Sequence, residues 1–110
     1  MTKINNAIIM AAGMGTRMRP LTNETPKPLV KVNGIRMIES IIQALHQENI
    51  TDITVVTGYL ADKFEFLSKK YKNLKLIHNP YFNQYNNISS LYVARKELKN
   101  TIILDGDQLI

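Results

Sequence analysis

The sequence predicts an α/β fold built around a parallel sheet, and three observations carry the prediction. Ala7–Ala12 is apolar at every position, the pattern of a strand covered on both faces. Helical spacing takes over after it, with Ile38, Ile41, Ile42 and Leu45 at i, i+3, i+4 and i+7. Apolar runs and helical stretches then alternate to the end of the chain, an order that argues for parallel strands joined by right-handed crossovers.

Taken in order, Ala7–Ala12 is the first strand. Residues 13–34 contain Pro20, Pro26 and Pro28 with Gly13, Gly15 and Gly34, and read as a long loop of the kind that carries function. A first helix follows from Ile35 and ends near Asn49. Ile53–Thr57 is the second strand, closed by Gly58. Asp62 stands at the start of a second helix, where a carboxylate suits the helix dipole, and Phe64, Leu67 and Tyr71 form its inner face. Leu74–Ile77 is the third strand, and the polar, aromatic-rich residues 78–87 the loop after it. Ser89 or Ser90 caps a third helix with Leu91, Ala94 and Leu98 on one face. Thr101–Leu104 is the fourth strand and runs into Asp105-Gly106-Asp107. The expected architecture is a doubly wound, Rossmann-like parallel sheet with helices on both faces and strand order 3-2-1-4. In that order strands one and four are neighbours at the switch point, where ligands bind beyond the carboxyl ends.

Composition narrows the function classes. The chain has 110 residues, 45% of them hydrophobic and 21% charged, which suits one soluble globular core. It has no cysteine, so disulfides and thiolate zinc sites are excluded and a reducing cytoplasm is the expected location. No apolar run approaches the roughly 20 residues that span a bilayer. The net charge is +5, with Lys69, Lys70, Lys72 and Lys75 close together. No aromatic residues interleave with them as a single-strand platform requires, so they read as a solvated helix end rather than a nucleic-acid surface. His46 is expected on a helix exterior and His78 at a strand end, and neither has a partner at metal-ligand spacing.

The chemistry-bearing residues fall into three groups. Gly13 and Gly15 allow positive φ and remove the Cβ that would keep a ligand from the backbone N–H groups. Alone, G-x-G marks only a tight turn. A P-loop is absent, and a dinucleotide fingerprint fails because Met18 replaces the third glycine, Pro20 interrupts the helix and no acid closes the second strand. Arg17 and Lys27 raise the bend above a turn. Pro26 and Pro28 restrict the backbone around Lys27, and fixed cations serve phosphoryl or nucleotidyl transfer by positioning and neutralising charge. The second group is Tyr85-Asn86-Asn87-Ile88-Ser89-Ser90, whose amides carry both donors and acceptors for a base or ribose, although Asn87 or Ser89 is equally a helix cap. The third is Asp105 and Asp107, whose carboxylates face one way if the strand continues through them.

The stretch AAGMGTRMRPLTNETPKPL resembles the nucleotidyltransferase signature A-A-G-x-G-x-R-x-x-P-x-T-x-x-x-P-K-x-L almost position for position. Members of that family join an NTP to a phosphorylated small molecule and release pyrophosphate. The resemblance implies that Ala11, Ala12, Gly13, Met14, Gly15 and Thr16 wrap the NTP phosphates. It makes Arg17 and Lys27 the catalytic cations, one on the leaving pyrophosphate and one on the reacting phosphate. It further implies Asp107 as a ligand of Mg²⁺, with Asp105 structural or near the ribose. The Y-N-N-x-x-S segment is similar to that of the LicC-type branch, which makes CDP-choline from CTP and phosphocholine, and of enzymes acting on aminoethylphosphonate. Asn86, Asn87 and Ser89 are then the nucleotide-reading residues.

The resemblance spans the nucleotide-binding half of such a domain, so residues 1–110 are expected to be its N-terminal part, with the acceptor-binding part absent and little turnover alone. The expected activity is Mg²⁺-dependent transfer of CMP from CTP to phosphocholine, in the cytoplasm, without nucleic-acid or membrane partners. The alternatives are a sugar-1-phosphate or aminoethylphosphonate nucleotidyltransferase, and a non-catalytic nucleotide-binding regulatory module.

Overall fold

A computed structural model describes residues 4–13, 25–80, 94–97 and 100–106. In chain order its elements are β1 (Asn6–Ala11), β2 (Lys31–Val32), β3 (Ile35–Arg36), α1 (Met37–Gln47), β4 (Ile53–Thr57), α2 (Glu65–Lys70), β5 (Leu74–His78) and β6 (Thr101–Asp105). Single 3₁₀ turns lie at Lys27–Leu29, Ala61–Phe64 and Arg95–Glu97. The main sheet runs β5-β4-β1-β6, which is the expected 3-2-1-4 order, and all three of its pairings are parallel.

The apolar run explains why β1 sits centrally. Every one of its residues is buried, and alternate side chains enter separate cores. Ala7, Ile9 and Ala11 pack with Ile53 and Val55 against Ile38, Ile41, Ile42 and Leu45 of α1 and against Phe64 and Leu67. Ile8 and Met10 point the other way, to Val56 and Ala94. Each fully buried Ile contributes roughly 1.5–3 kcal/mol relative to exposure, so this alternation fixes the strand's register. At the start of β1 the buried Asn6 accepts a hydrogen bond from the Thr101 hydroxyl at 2.7 Å, which closes the first rung with β6.

Residues 13–34 are not loop throughout. Lys31–Val32 and Ile35–Arg36 form a small antiparallel hairpin, turned by Asn33 (φ 54°) and Gly34 (φ 82°). An Asn-Gly pair in left-handed backbone is the turn that best matches strand twist in a two-residue hairpin. The hairpin takes up Ile35 and Arg36, so α1 begins at Met37 rather than Ile35. At its other end Asn49 has φ 63° and donates to the His46 carbonyl, while Ile50 donates to Leu45, a Schellman stop. Asp62 lies in the 3₁₀ turn before α2 and not in the α-helix, because Leu60 enters the turn with left-handed backbone. Of the third helix, Leu91 and Leu98 lie outside the described residues. Ala94 is fully buried on the second sheet face.

A buried carboxylate joins the hairpin to both helices. Glu39 is 3% exposed and accepts from Arg36 at 2.9 Å, from the Tyr71 hydroxyl at 2.5 Å and from Lys70 at 2.6 Å. Burial opposes its ionisation, but the hydrogen bonds from Lys70, Tyr71 and Arg36 outweigh burial and hold its pKa at about 2. Burial and the Glu39 carboxylate push the Tyr71 hydroxyl up to about 12. His46 is half-buried rather than fully on the exterior. Its ring meets Tyr71 edge-on at 5.8 Å, and its Nε2 is buried without a hydrogen-bond partner.

Candidate active site

The site is built at the carboxyl ends of β1 and β6, which are hydrogen-bonded neighbours. Met10 stands opposite Asp105 in the last rung, and the Gly106 N–H donates to the Met10 carbonyl at 2.9 Å. β6 ends at Asp105, and Asp107 lies outside the described residues. The Asp105 residue is half-buried and the glycine after it is buried.

Gly106 also meets the proline-flanked lysine segment. A Cβ at this position would lie 3.2 Å from Ile9 Cγ2, 3.3 Å from the Met10 carbonyl oxygen and 3.3 Å from Pro28 Cβ. The turn carrying Lys27 is therefore seated on the β6 terminus. Pro26 has extended backbone (φ −56°, ψ 144°), and its carbonyl accepts from the Leu29 N–H at 2.9 Å. Both prolines and Leu29 are buried, so the half-buried Lys27 is held from both sides by packed residues.

On the far side of β1, the Ala12 carbonyl accepts from the Tyr59 N–H at 3.1 Å, which ties the chain leaving β1 to the end of β4. Ala11 and Ala12 are buried and Gly13 is exposed. The conformational reason expected for Gly13 does not hold, since it is not among the positive-φ residues. An added Cβ there would meet nothing within 4 Å among the described residues.

Ala11, Ala12, Gly13, Lys27 and Asp105 thus gather at one end of the sheet. Met14, Gly15, Thr16, Arg17, Asn86, Asn87, Ser89 and Asp107 lie outside the described residues. Among the described residues, no three His, Cys, Asp or Glu side chains group as a metal site, and no helix is long and apolar enough to cross a membrane. Sequence reasoning missed Asn79, which is fully buried at the end of β5 and donates its N–H to the Thr57 carbonyl at 2.6 Å. The Asn-Pro pair at 79–80 is its only sequence signal, a turn initiator after an apolar run.

Residues 6–110 match the profile of the family described as Nucleotidyl transferase. The chain belongs to the nucleotidyl transferase family. This nucleotidyl transferase is 44% identical over 104 residues to the choline-phosphate cytidylyltransferase of Streptococcus pneumoniae, covering 94% of this chain and 45% of that protein. It is 49% identical over 107 residues to the 2-aminoethylphosphonate cytidylyltransferase of Lancefieldella rimae, covering 96% and 44%. Its fold superposes on the solved CTP:phosphocholine cytidylyltransferase of S. pneumoniae (LicC) with a TM-score of 0.92 at 44% identity, over 98% of this chain and 47% of that one. The chain therefore spans about half the length of the relatives it matches.

Proposed function

We propose that the nucleotidyl transferase to which this chain belongs transfers CMP from CTP to phosphocholine, releasing pyrophosphate. The observation that carries the reading is the packing of Pro28 on Gly106, which sets the lysine-bearing turn beside the acidic strand end. Similarity to the cytidylyltransferases above supports the base and the acceptor.

In this reading the backbone of Ala11–Thr16 takes the triphosphate, and the absence of a Cβ at Gly13 lets the phosphates approach it. A phosphate oxygen of phosphocholine attacks the α-phosphorus of CTP. The bond from that phosphorus to the β-phosphate bridging oxygen breaks, and its electron pair leaves with pyrophosphate. Lys27, fixed between buried prolines, holds charge on the α-phosphate through the reaction, and Arg17 receives the charge that develops on pyrophosphate. Asn86, Asn87 and Ser89 read the nucleoside. Asp107 would offer the hard carboxylate oxygens that suit Mg²⁺, with Asp105 structural or near the ribose. When bound, the metal neutralises charge on phosphate oxygens. A CTP-consuming enzyme of this kind belongs in the cytoplasm.

The higher identity to the L. rimae enzyme favours a second reading with 2-aminoethylphosphonate as acceptor. Both acceptors join a cationic amine to a phosphorus oxyanion. Pyrophosphate release by the full-length protein, measured for four NTPs with phosphocholine, 2-aminoethylphosphonate and glucose-1-phosphate, separates them. CTP with phosphocholine is the expected pair. A preference for UTP or dTTP with glucose-1-phosphate overturns the reading, and so does nucleotide binding without product at any magnesium concentration. The 110-residue chain alone is expected to bind CTP weakly and turn over poorly.

A further inference from the structure

A second concave surface lies between the hairpin, the Lys27–Leu29 turn and the start of α2. It is a groove of about 610 Å³, within the roughly 300–1,000 Å³ typical of small-molecule sites. Leu29, Val30 and Phe66 give it apolar walls, and Lys31, Arg36 and Lys63 give it charge. Among the described residues no carboxylate lines it, and neither do Ala11, Ala12, Gly13, Lys27 or Asp105.

The three cations differ in what already holds them. Arg36 is pre-positioned, with one Nη donating to Glu39 at 2.9 Å and the guanidinium carbon 4.7 Å from the Phe66 ring centroid. Glu39 is shared with Lys70 and Tyr71, so it does not cancel the charge of the groove. Among the described residues the Lys31 and Lys63 ammonium groups have neither an ion-pair nor a hydrogen-bond partner. Two unpaired ammonium groups beside a fixed guanidinium suit a phosphate dianion, and the apolar walls suit a non-polar body attached to it.

We infer that this groove is a second anion site, which takes an organic phosphate monoester with an apolar or aromatic body and is separate from the site at the strand ends. It stands independently of the proposed activity. The lysine turn joins the two, with Lys27 at one end and Leu29 lining the groove at the other.

The test is a residue-resolved ¹⁵N–¹H NMR titration with phenyl phosphate, and with inorganic phosphate as the body-less control. It uses the full-length protein and its Lys31→Gln/Lys63→Gln double variant, both positions being exposed. The amides of Lys31, Arg36, Lys63 and Phe66 are expected to shift together. Phenyl phosphate should bind at least tenfold more tightly than inorganic phosphate, and at least tenfold more weakly to the double variant. Shifts confined to Gly13, Lys27 and Gly106 would place the anion at the strand ends alone and overturn the inference. So would an affinity unchanged in the double variant, or equal affinity for the two probes. Pyrophosphate release by the K31Q/K63Q full-length protein is expected to match that of the unsubstituted protein, so failure at either site is told apart from failure at the other.

Discussion

Pro28 rests on Gly106, and that contact leaves no room for a side chain between the lysine turn and the end of β6. Because the crowding involves the Met10 carbonyl in the central strand as well as a proline ring, neither neighbour yields easily. Gly106→Ala is expected to cost about 1–3 kcal/mol, the range for forcing an extra carbon into a packed site. Urea unfolding monitored by circular dichroism checks this. A midpoint within error of the original would mean that the turn lifts off the strand end at no cost.

Glu39 makes stability depend on acid. Its folded pKa of about 2 lies below the ordinary 4.5, so the carboxylate stabilises the fold above about pH 4.5 and loses that contribution as pH falls towards 2. Glu39→Gln should abolish that part of the slope and cost about 1–3 kcal/mol at neutral pH through the weakened bonds to Lys70, Tyr71 and Arg36. Unfolding midpoints at pH 7, 4 and 2.5 for both proteins give the comparison. Parallel pH profiles would remove Glu39 as the source.

The hairpin turn offers a local test. Gly34 has φ 82° with no atom of the described residues within 4 Å of an added Cβ, so Gly34→Ala meets a backbone penalty and no clash with them. The expected loss is about 1 kcal/mol, seen as a lower thermal midpoint. Asn33→Gly at the neighbouring left-handed position should change the midpoint far less.

For catalysis, Arg17→Ala and Lys27→Ala in the full-length protein are each expected to lower kcat by roughly 10²-fold or more, as removal of a preorganised charge donor does. Steady-state pyrophosphate release with saturating substrates measures it. A near-normal kcat for either variant would take that residue out of the mechanism.

How much of this was legible in the sequence depended on whether the signal was local. The first strand was readable because Ile8 and Ile9 lie in an unbroken apolar run, which has no exposed face to offer, and the second because Ile53, Val55 and Val56 are β-branched. The stiffness of Lys27 followed from two prolines. The Asn33-Gly34 hairpin carried a signal too, but the surrounding prolines and glycines masked it as loop. Other features had no local trace. Gly106 reads as a spacer between two aspartates, and only the strand order brings Pro28 against it. Glu39 sits among isoleucines on a helix, and only Arg36 of its three donors is local, the adjacent Lys70 and Tyr71 coming from a distant part of the chain. His46 looked external because a polar residue on a helix usually is, until Tyr71 covered it.

The order of the sheet also sets a timetable. Asn6 in the first strand is joined to Thr101 across a separation of 95 residues. At synthesis rates of about 5–20 residues per second, that distance corresponds to roughly 5–20 s between the emergence of the two partners. For roughly the first half of that interval β1 has neither neighbour, and for the second half it can pair with β4 but presents a bare apolar edge on its other side. The nascent chain is therefore most exposed to mispairing along Ala7–Ala11, and that segment is where a ribosome-associated chaperone would have most to protect.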